Sequence, residues 1–513
     1  MAPACKRNRV RNMANYFRGA RLSAALCGCV ALLSGCALMH HDTAPHAQIA
    51  PEQIRLADDI HLARDGWPDA QWWKQYDDPQ LDALIERALK DSPTVAMART
   101  RVAQARSQAD LLSAGMGLQL AAFSLLNEQR TSANGFLGPY AQNLPRLGVT
   151  GPWYTEAAFG LVADLNIDLW GMHRSAVEAA LGVRNARVAE TAAVELDIAS
   201  GIAQLYFSMQ NTYRTLDLLQ QTKAALEFTA ESHQSKVARG LESRVPFHAT
   251  RAQTLAVDRR IASARGLIKE TRESIRALAG AGANELPEIE PVALPQVAAS
   301  LPHSLSYELL ARRPDLQAMR WYVQSSFSQI DAAKAAFYPS LDIKALIGLD
   351  SLHLNKLFRS SSQQINIVPG LYLPIFDGGR LNANLHGTRA ASDMLIDQYN
   401  QAVLNAVRDV AINASRLQAL DDERAVQVTK VEETRYAQEA AEATYRQGLS
   451  SRQLATEARL PVLAEELALA LLDGQRVAQD VALIKALGGG YTGKDMPQNG
   501  GIASMTVKVE SGP

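Results

Sequence analysis

Cysteine is absent from this chain after Cys36; the four cysteines stand at positions 5, 27, 29 and 36 of 513 residues. No disulfide framework and no thiolate metal site is open to the rest of the protein. An excess of charge is missing too. Lys and Arg number 52 against 53 Asp and Glu, whereas a nucleic-acid binder usually carries a basic surplus. There is no G-x-S-x-G, P-loop or H-E-x-x-H, and His233 and His248 stand isolated on helical runs without zinc-pair spacing. Neither an enzyme centre nor a cofactor site follows. Proline is missing between Pro152 and Pro246 and again between Pro374 and Pro461, which leaves room for helices of unusual length.

What is present is a repeat. The stretches Leu165–Arg174 (LNIDLWGMHR) and Leu371–Arg380 (LYLPIFDGGR) each end an alternating run and turn through Gly into a very long helical run. Pro93, Arg99, Gln108 and Asp110 match Pro314, Arg320, Gln329 and Asp331 at one offset. Gly240, Leu241, Ser243 and Arg244 match Gly448, Leu449, Ser451 and Arg452. Matches in the same order point to two copies of one unit. Each copy reads helix, strand, loop, strand, long helix, tip, long helix. The predicted division is 1–35 leader, 36–77 tether, 78–280 first copy, 281–305 linker, 306–488 second copy and 489–513 tail. Prolines 287, 291, 295 and 302 mark the linker.

The helical part opens at Asp78–Gly115, broken at Asp91-Ser92-Pro93, where Asp91 or Ser92 can cap the next helix. From Arg174 to Ala238 the helix reaches about 100 Å at 1.5 Å per residue. Val177, Leu181, Val188, Val194, Ile198, Ile202 and Leu205 lie near one seam. In the second copy Tyr399, Val403, Ala406, Val410, Asn413, Leu417 and Leu420 step as a heptad. Both long runs pause at Gly240-Leu241 and Gly448-Leu449 and resume after Ser243 or Ser450-Ser451. Gly ends a helix well and Ser begins one well, so each copy folds back as a hairpin. The clustered Trp67, Trp72 and Trp73 fit either a membrane interface or packing against the body.

Four strands are predicted. Leu118–Leu126 alternates poorly and is followed by a Gly/Pro-rich loop, Asn127–Pro152. Phe159–Ile167, Leu341–Leu349 and Ile365–Leu373 alternate well. Runs of about 9–11 residues suit a tilted membrane-crossing strand, but four strands close no barrel, and open edges in lipid cost several kcal/mol per unpaired group. Either helices cover the sheet or several chains share one barrel.

The N-terminus explains the cysteines. Lys6, Arg7, Arg9, Arg11, Arg18 and Arg21 precede the short apolar core Leu22–Leu33, then Leu33-Ser34-Gly35-Cys36. This describes an export signal too short to span a membrane, and LSGC resembles a bacterial lipobox. That resemblance implies cleavage before Cys36, acylation there and, because Ala37 rather than Asp follows, the outer membrane. The long basic lead is also compatible with a start at Met13.

Leu-Leu-Ala-Arg-Arg-Pro-Asp-Leu at 309–316, Leu-Pro-Ile-Phe-Asp-Gly-Gly-Arg at 373–380 and Asp-Leu-Trp-Gly at 168–171 resemble signatures of the outer-membrane efflux proteins, the TolC/OprM family, in its lipoprotein branch. The resemblance spans essentially the mature chain. It implies a mainly α fold with a small membrane β-sheet, and a homotrimer with a 12-stranded β-barrel on a long α-helical barrel. It also implies partners: a periplasmic adaptor, an inner-membrane transporter and outer-membrane lipid, but no nucleic acid. By the same resemblance, Gly240, Leu241, Ser243, Gly448, Leu449 and Ser451 are adaptor-contact tips and Glu457 stands at a periplasmic gate. Leu454 occupies the second acidic position of some members, and Arg452 and Arg459 are candidates to pair with Glu457. A coiled-coil lipoprotein that braces the periplasm is the alternative from another class; a channel for secretion or metal efflux is the alternative cargo.

Overall fold

The computed structural model describes residues 39, 44–49, 66–132, 134, 143–144, 149–150, 153–297, 309 and 311–493. The leader, Cys36, and parts of the tether, of the 127–152 loop, of the linker and of the tail lie outside the described residues. Two compact units emerge. One gathers the described residues within 1–46, 105–183 and 323–395, the other those within 47–104, 184–322 and 396–513.

The repeat is legible in element lengths. Helices α1 (Pro79–Asp91) and α2 (Pro93–Ala114) lead into β1 (Gln119–Arg130). Two short strands, β2 (Asn143–Leu144) and β3 (Val149–Thr150), pair inside the segment expected to be loop. Then come β4 (Trp153–Ile167), α3 (Met172–Ala238) and α4 (Arg244–Leu278). The second copy runs α5 (Pro314–Ala335), β5 (Ser340–Ser351), β6 (Gln363–Tyr372), α6 (Arg380–Arg446), α7 (Arg452–Glu457) and α8 (Arg459–Ala486). Helices α3 and α6 are both 67 residues long, and α2 and α5 are both 22. Among the described residues the hairpins of the two copies differ in one helix: α4 is unbroken, whereas its counterpart breaks at Ala458 between α7 and α8.

In the first unit the strands form one antiparallel sheet in the order β1-β4-β5-β6. The copies therefore join at β4–β5, and β1 and β6 are edges. The register places Leu120, Leu126, Phe159, Leu161, Leu165, Ile343, Ile347, Ile365, Ile367 and Leu371 on one face. Asn127, Glu156, Asp164, Asn166, Asp342, Lys344, Asp350 and Asn366 share the other. The poor alternation of β1 has a local cause. Phe123 lies on the polar face over Gly160, where a Cβ would come within 3.1 Å of its ring, so an aromatic side chain fills the space two glycines leave at the Gly160–Gly348 cross-strand pair. Beside the sheet, Phe337, Leu381 and Leu385 form a small core with Ala333. Asp168 and Asp377 end the two strand-to-helix turns by accepting from the N–H groups of Arg174 and Leu381.

In the second unit α1 brings Leu81, Leu84, Ile85 and Ala88 onto a core with Ile198, Ile202, Tyr206 and Phe207 of α3, Ile275 of α4 and Val477, Val481 and Ile484 of α8. Each fully buried Leu or Ile contributes about 1.5–3 kcal/mol. Asp78 caps α1, accepting from Gln80 N at 2.9 Å, and its other oxygen accepts a hydrogen bond from the Tyr206 hydroxyl at 2.5 Å. Trp72 and Trp73 belong to this core, 3 % and 6 % exposed, so the packing reading of that cluster holds. Linker residues Leu286 and Ile289 are buried in it as well.

The heptad read in α6 is observed at six of its seven positions: Val403, Ala406, Val410 and Leu417 are almost fully buried, with Tyr399 and Leu420 close behind, but Ala414 rather than Asn413 is the buried residue between Val410 and Leu417. The seam read in α3 shifts. Ile198 and Ile202 are buried, but the upper half buries Ala179, Gly182, Asn185, Ala186 and Ala189 rather than Val177, Leu181 and Val188. Small residues were chosen there for close approach. A Cβ on Gly182 would stand 2.9 Å from Ser325 Cβ, and Ser325 Oγ donates to the Ala179 carbonyl at 2.8 Å. The family-like motif at 309–316 also works structurally. Arg313 clamps Asp315 and donates to the Ala486 carbonyl at 3.0 Å, and the Arg312 guanidinium lies 5.1 Å from the Trp67 ring centre.

One buried acid gives a stability prediction. Asp480 on α8 accepts from Tyr76 Oη at 2.6 Å, and burial pushes its carboxyl up to about 6. A raised folded-state value means its contribution is fully present below the unfolded carboxylate range, near 4, and is lost as pH rises through about 6. Asp480→Asn keeps an acceptor for Tyr76. It is expected to raise the unfolding free energy at pH 7.5 by on the order of 2–3 kcal/mol, seen as a higher melting temperature, and to change little near pH 4. A pH-independent effect in thermal melts would refute this.

Candidate functional site

The candidate site lies where the two hairpins turn. Helix α3 ends as Leu241 N and Gly240 N donate to the carbonyls of Lys236 and Val237, and α6 ends in the same way at Gly448 and Leu449. Both glycines take left-handed backbone, φ +74° and +76°, and a Cβ at either would meet nothing within 4 Å. Backbone conformation alone therefore demands Gly here. The turn lifts Leu241 and Leu449 into solvent, 73 % and 74 % exposed. Ser451 caps α7, accepting from Leu454 N at 3.3 Å. Ser243 occupies the equivalent position before α4 without a side-chain cap bond.

The chemistry around Glu457 differs from the ion pairs read in the sequence. Arg452 lies instead over the Phe228 ring, 4.8 Å from its centre, and Arg459 donates to Gln221 Oε1 at 2.7 Å. Glu457 Oε1 accepts from Gln453 Nε2 at 2.7 Å and lies 4.0 Å from His233 Nε2. His233 is far from isolated. Its Nδ1 meets Glu242 Oε2 at 2.7 Å and its Nε2 meets Gln453 Nε2 at 3.2 Å. Lys236 Nζ donates to Gln453 Oε1 at 2.6 Å. Gln453 is buried. Thus α3, the first tip and α7 are tied by one polar circuit, supported by an apolar cluster of Leu218, Leu219, Leu226, Leu463 and Leu467.

Sequence reading missed His233, Gln453, Lys236 and Glu242. The available signals were local: His233 and Lys236 are one helical turn apart, as are Gln453 and Glu457, which puts each pair on one helix face. Nothing local links the two faces. Among the described residues no group of His, Cys, Asp or Glu is placed to hold a metal. No described helix is long and apolar enough to cross a membrane.

The second candidate surface is the polar sheet face. Asp164 stands opposite Lys344, and Asn166 donates to Asp342 at 2.5 Å. At one end of the sheet Trp170 stacks on Tyr338, ring centres 4.8 Å apart, and its indole N–H donates to the Pro339 carbonyl at 2.9 Å. Trp153, at the opposite end of β4, is 59 % exposed.

Known proteins resemble this chain over most of its length. The family model described as outer membrane efflux protein matches residues 84–281 and 305–489. The multidrug resistance outer membrane protein MdtP of Escherichia coli K12 is 63 % identical over 470 residues, 92 % of this chain and 96 % of that protein. The putative multidrug resistance outer membrane protein MdtQ of Shigella flexneri is 39 % identical over 461 residues, 90 % and 96 % of the two chains. The crystal structure of the outer membrane protein VceC of Vibrio cholerae superposes with a TM-score of 0.74 at 28 % identity, covering 83 % of this chain and all of that one. Two matched segments that coincide with the two copies, and relatives spanning nearly the whole length, settle the assignment: this chain is a member of the outer membrane efflux protein family.

Proposed function

We propose that the chain is the outer-membrane channel of a tripartite efflux system. It passes drugs or other small toxic compounds from an inner-membrane pump, through a periplasmic adaptor, to the outside. The observation that carries this is the four-stranded sheet with one apolar face, one polar face and two open edges. Lipid tolerates strands only when every backbone group is paired. Three copies joined edge to edge give twelve strands, apolar outward and polar inward, and turn a single chain's unpaired β1 and β6 into a closed wall. The long hairpins of the three copies form the continuing duct. No catalytic step is needed, since the pump supplies the energy. The name of the MdtP relative supports multidrug efflux as the cargo class.

Cys36 is the lipidation site after removal of 1–35, and residues 36–77 lead the anchor onto the body. The described part of that segment already lies along α6: the Ile49 N–H donates to Asn400, whose amide donates to the Ala47 carbonyl. Gly240, Leu241, Ser243, Gly448, Leu449 and Ser451 present the adaptor contacts. Glu457 marks the periplasmic gate, on a helix that Arg452 holds against α3 through the Phe228 ring. Three Glu457 side chains around a narrow mouth favour cations.

Purified protein in a planar bilayer is expected to show a small, cation-preferring single-channel conductance that changes in Glu457→Ala. An unchanged conductance removes Glu457 from the gate and leaves the channel standing. In Cys36→Ser, metabolic labelling with a fatty acid is expected to vanish from the protein; retained label would refute the anchor. Gly448→Val forces a β-branched residue into left-handed backbone, at a cost of about 1–2 kcal/mol. It should reduce adaptor co-purification several-fold while the trimer persists on native gels. Loss of the trimer would mark this Gly as structural.

A further inference from the structure

We propose that His233 and Gln453 form a clasp between the two hairpins that is wired for a neutral imidazole and opened by its protonation. The inference rests on the channel reading above for its consequence, but its geometry stands in one chain.

The bonding circuit allows one assignment. Lys236 has only donors, so the atom of Gln453 that it reaches at 2.6 Å is the amide oxygen. The amide nitrogen then faces both Glu457 Oε1, at 2.7 Å, and His233 Nε2, at 3.2 Å. An amide NH2 carries two protons and accepts none. One proton serves Glu457, and the other needs an acceptor, so His233 Nε2 is bare. The proton of the neutral ring sits on Nδ1, where the Glu242 carboxylate accepts it at 2.7 Å. Every donor of the Gln453 side chain is used, and each bond has one compatible direction.

A proton added to Nε2 removes that compatibility. Nε2–H then points at the Gln453 NH2 group, donor against donor. Rotating the amide by half a turn does not help, because it sets the NH2 against the Lys236 ammonium. Gln453 is buried, so an unpaired amide there is costly. The imidazolium has a better partner nearby, Glu457 Oε1 at 4.0 Å, and takes it as Gln453 is displaced. The charged groups facing the ring are Glu242 from the first tip, Glu457 from α7 and Lys236 on its own helix. Protonation at Nε2 therefore breaks the amide link that joins α3 to α7 and loosens the tips.

The test is a spin-label distance between Leu241→Cys and Leu449→Cys, the two exposed tip residues. It is read in the full-length protein at about pH 7.5 and about pH 5.5, with the protein lacking both new cysteines as background. The distance distribution is expected to move longer and broaden in acid. His233→Gln keeps an acceptor near the Nε2 position and cannot be protonated, so it should hold the short distance at both pH values. Gln453→Leu removes the link and should give the long distance at both. A wild-type distance that ignores pH, or an acid shift that survives in His233→Gln, overturns the clasp; the latter assigns the shift to Glu242 or Glu457. Bilayer currents on the same samples separate the two readings. Distances that move without any current sink the channel and leave the clasp. Current with immobile distances sinks the clasp and leaves the channel.

Discussion

The constraint on which the rest of this structure depends is backbone pairing at the sheet edges. One chain supplies four strands, and the sequence order places β4 of the first copy against β5 of the second. Duplication thus closes the middle of the sheet but leaves β1 and β6 open, 12 and 10 residues long. Water would satisfy those groups; lipid would not. The apolar face carried by Phe159, Leu161, Ile347, Ile365 and Leu371 is mostly exposed in the single chain, which is the wrong arrangement for water and the right one for lipid. Helices that covered this face would solve burial but not the edges. Assembly with further copies solves both.

The helical unit answers a related problem. A 67-residue helix cannot bury itself, and helix propensity alone does not hold such an element in place. Its stability comes from neighbours, and the choice of residues differs along its length. Where Ile198, Ile202, Tyr206 and Phe207 line up, large side chains fill a shared core with α1, α4 and α8. Where Ala179, Gly182, Ala186 and Ala189 line up, the backbone approaches closely and packing replaces bulk.

That difference explains what was legible in the sequence. The repeat, the hairpins, the α6 heptad and three of the four strands were readable because each is written in local periodicity. The α3 seam was misplaced near its start because hydrophobicity marks Val177, Leu181 and Val188, whereas the buried line there is made of Ala, Gly and Asn. The extent of β1 and β4 was underestimated. Asn127, Glu128, Gln129 and Arg130 look like loop but complete a ladder with Tyr154, Trp153, Thr155 and Glu156, and cross-strand pairing is invisible to one strand alone. The site was half legible. Gly240 and Gly448 announce themselves by composition. The partners of Glu457 do not, because His233 is 220 positions from Gln453 and only the fold joins them.

The two hairpins begin on helices of equal length and differ at one joint after the tip. Helix α4 continues for 35 residues beyond its tip, while the second hairpin resumes for six residues, stops at Ala458 and starts again. The interruption immediately follows Glu457 and precedes Arg459, whose guanidinium reaches back to Gln221 on α3. A short helix between two breaks has few backbone bonds of its own to resist rotation. What holds α7 in place is side-chain bonding: the Ser451 cap, Arg452 over Phe228, and the Gln453 amide between Lys236, His233 and Glu457. Within the described hairpins the two copies depart from each other at α7. That side-chain bonding makes the polarity of a single buried amide decisive, since that amide has more partners than any other group on the short helix.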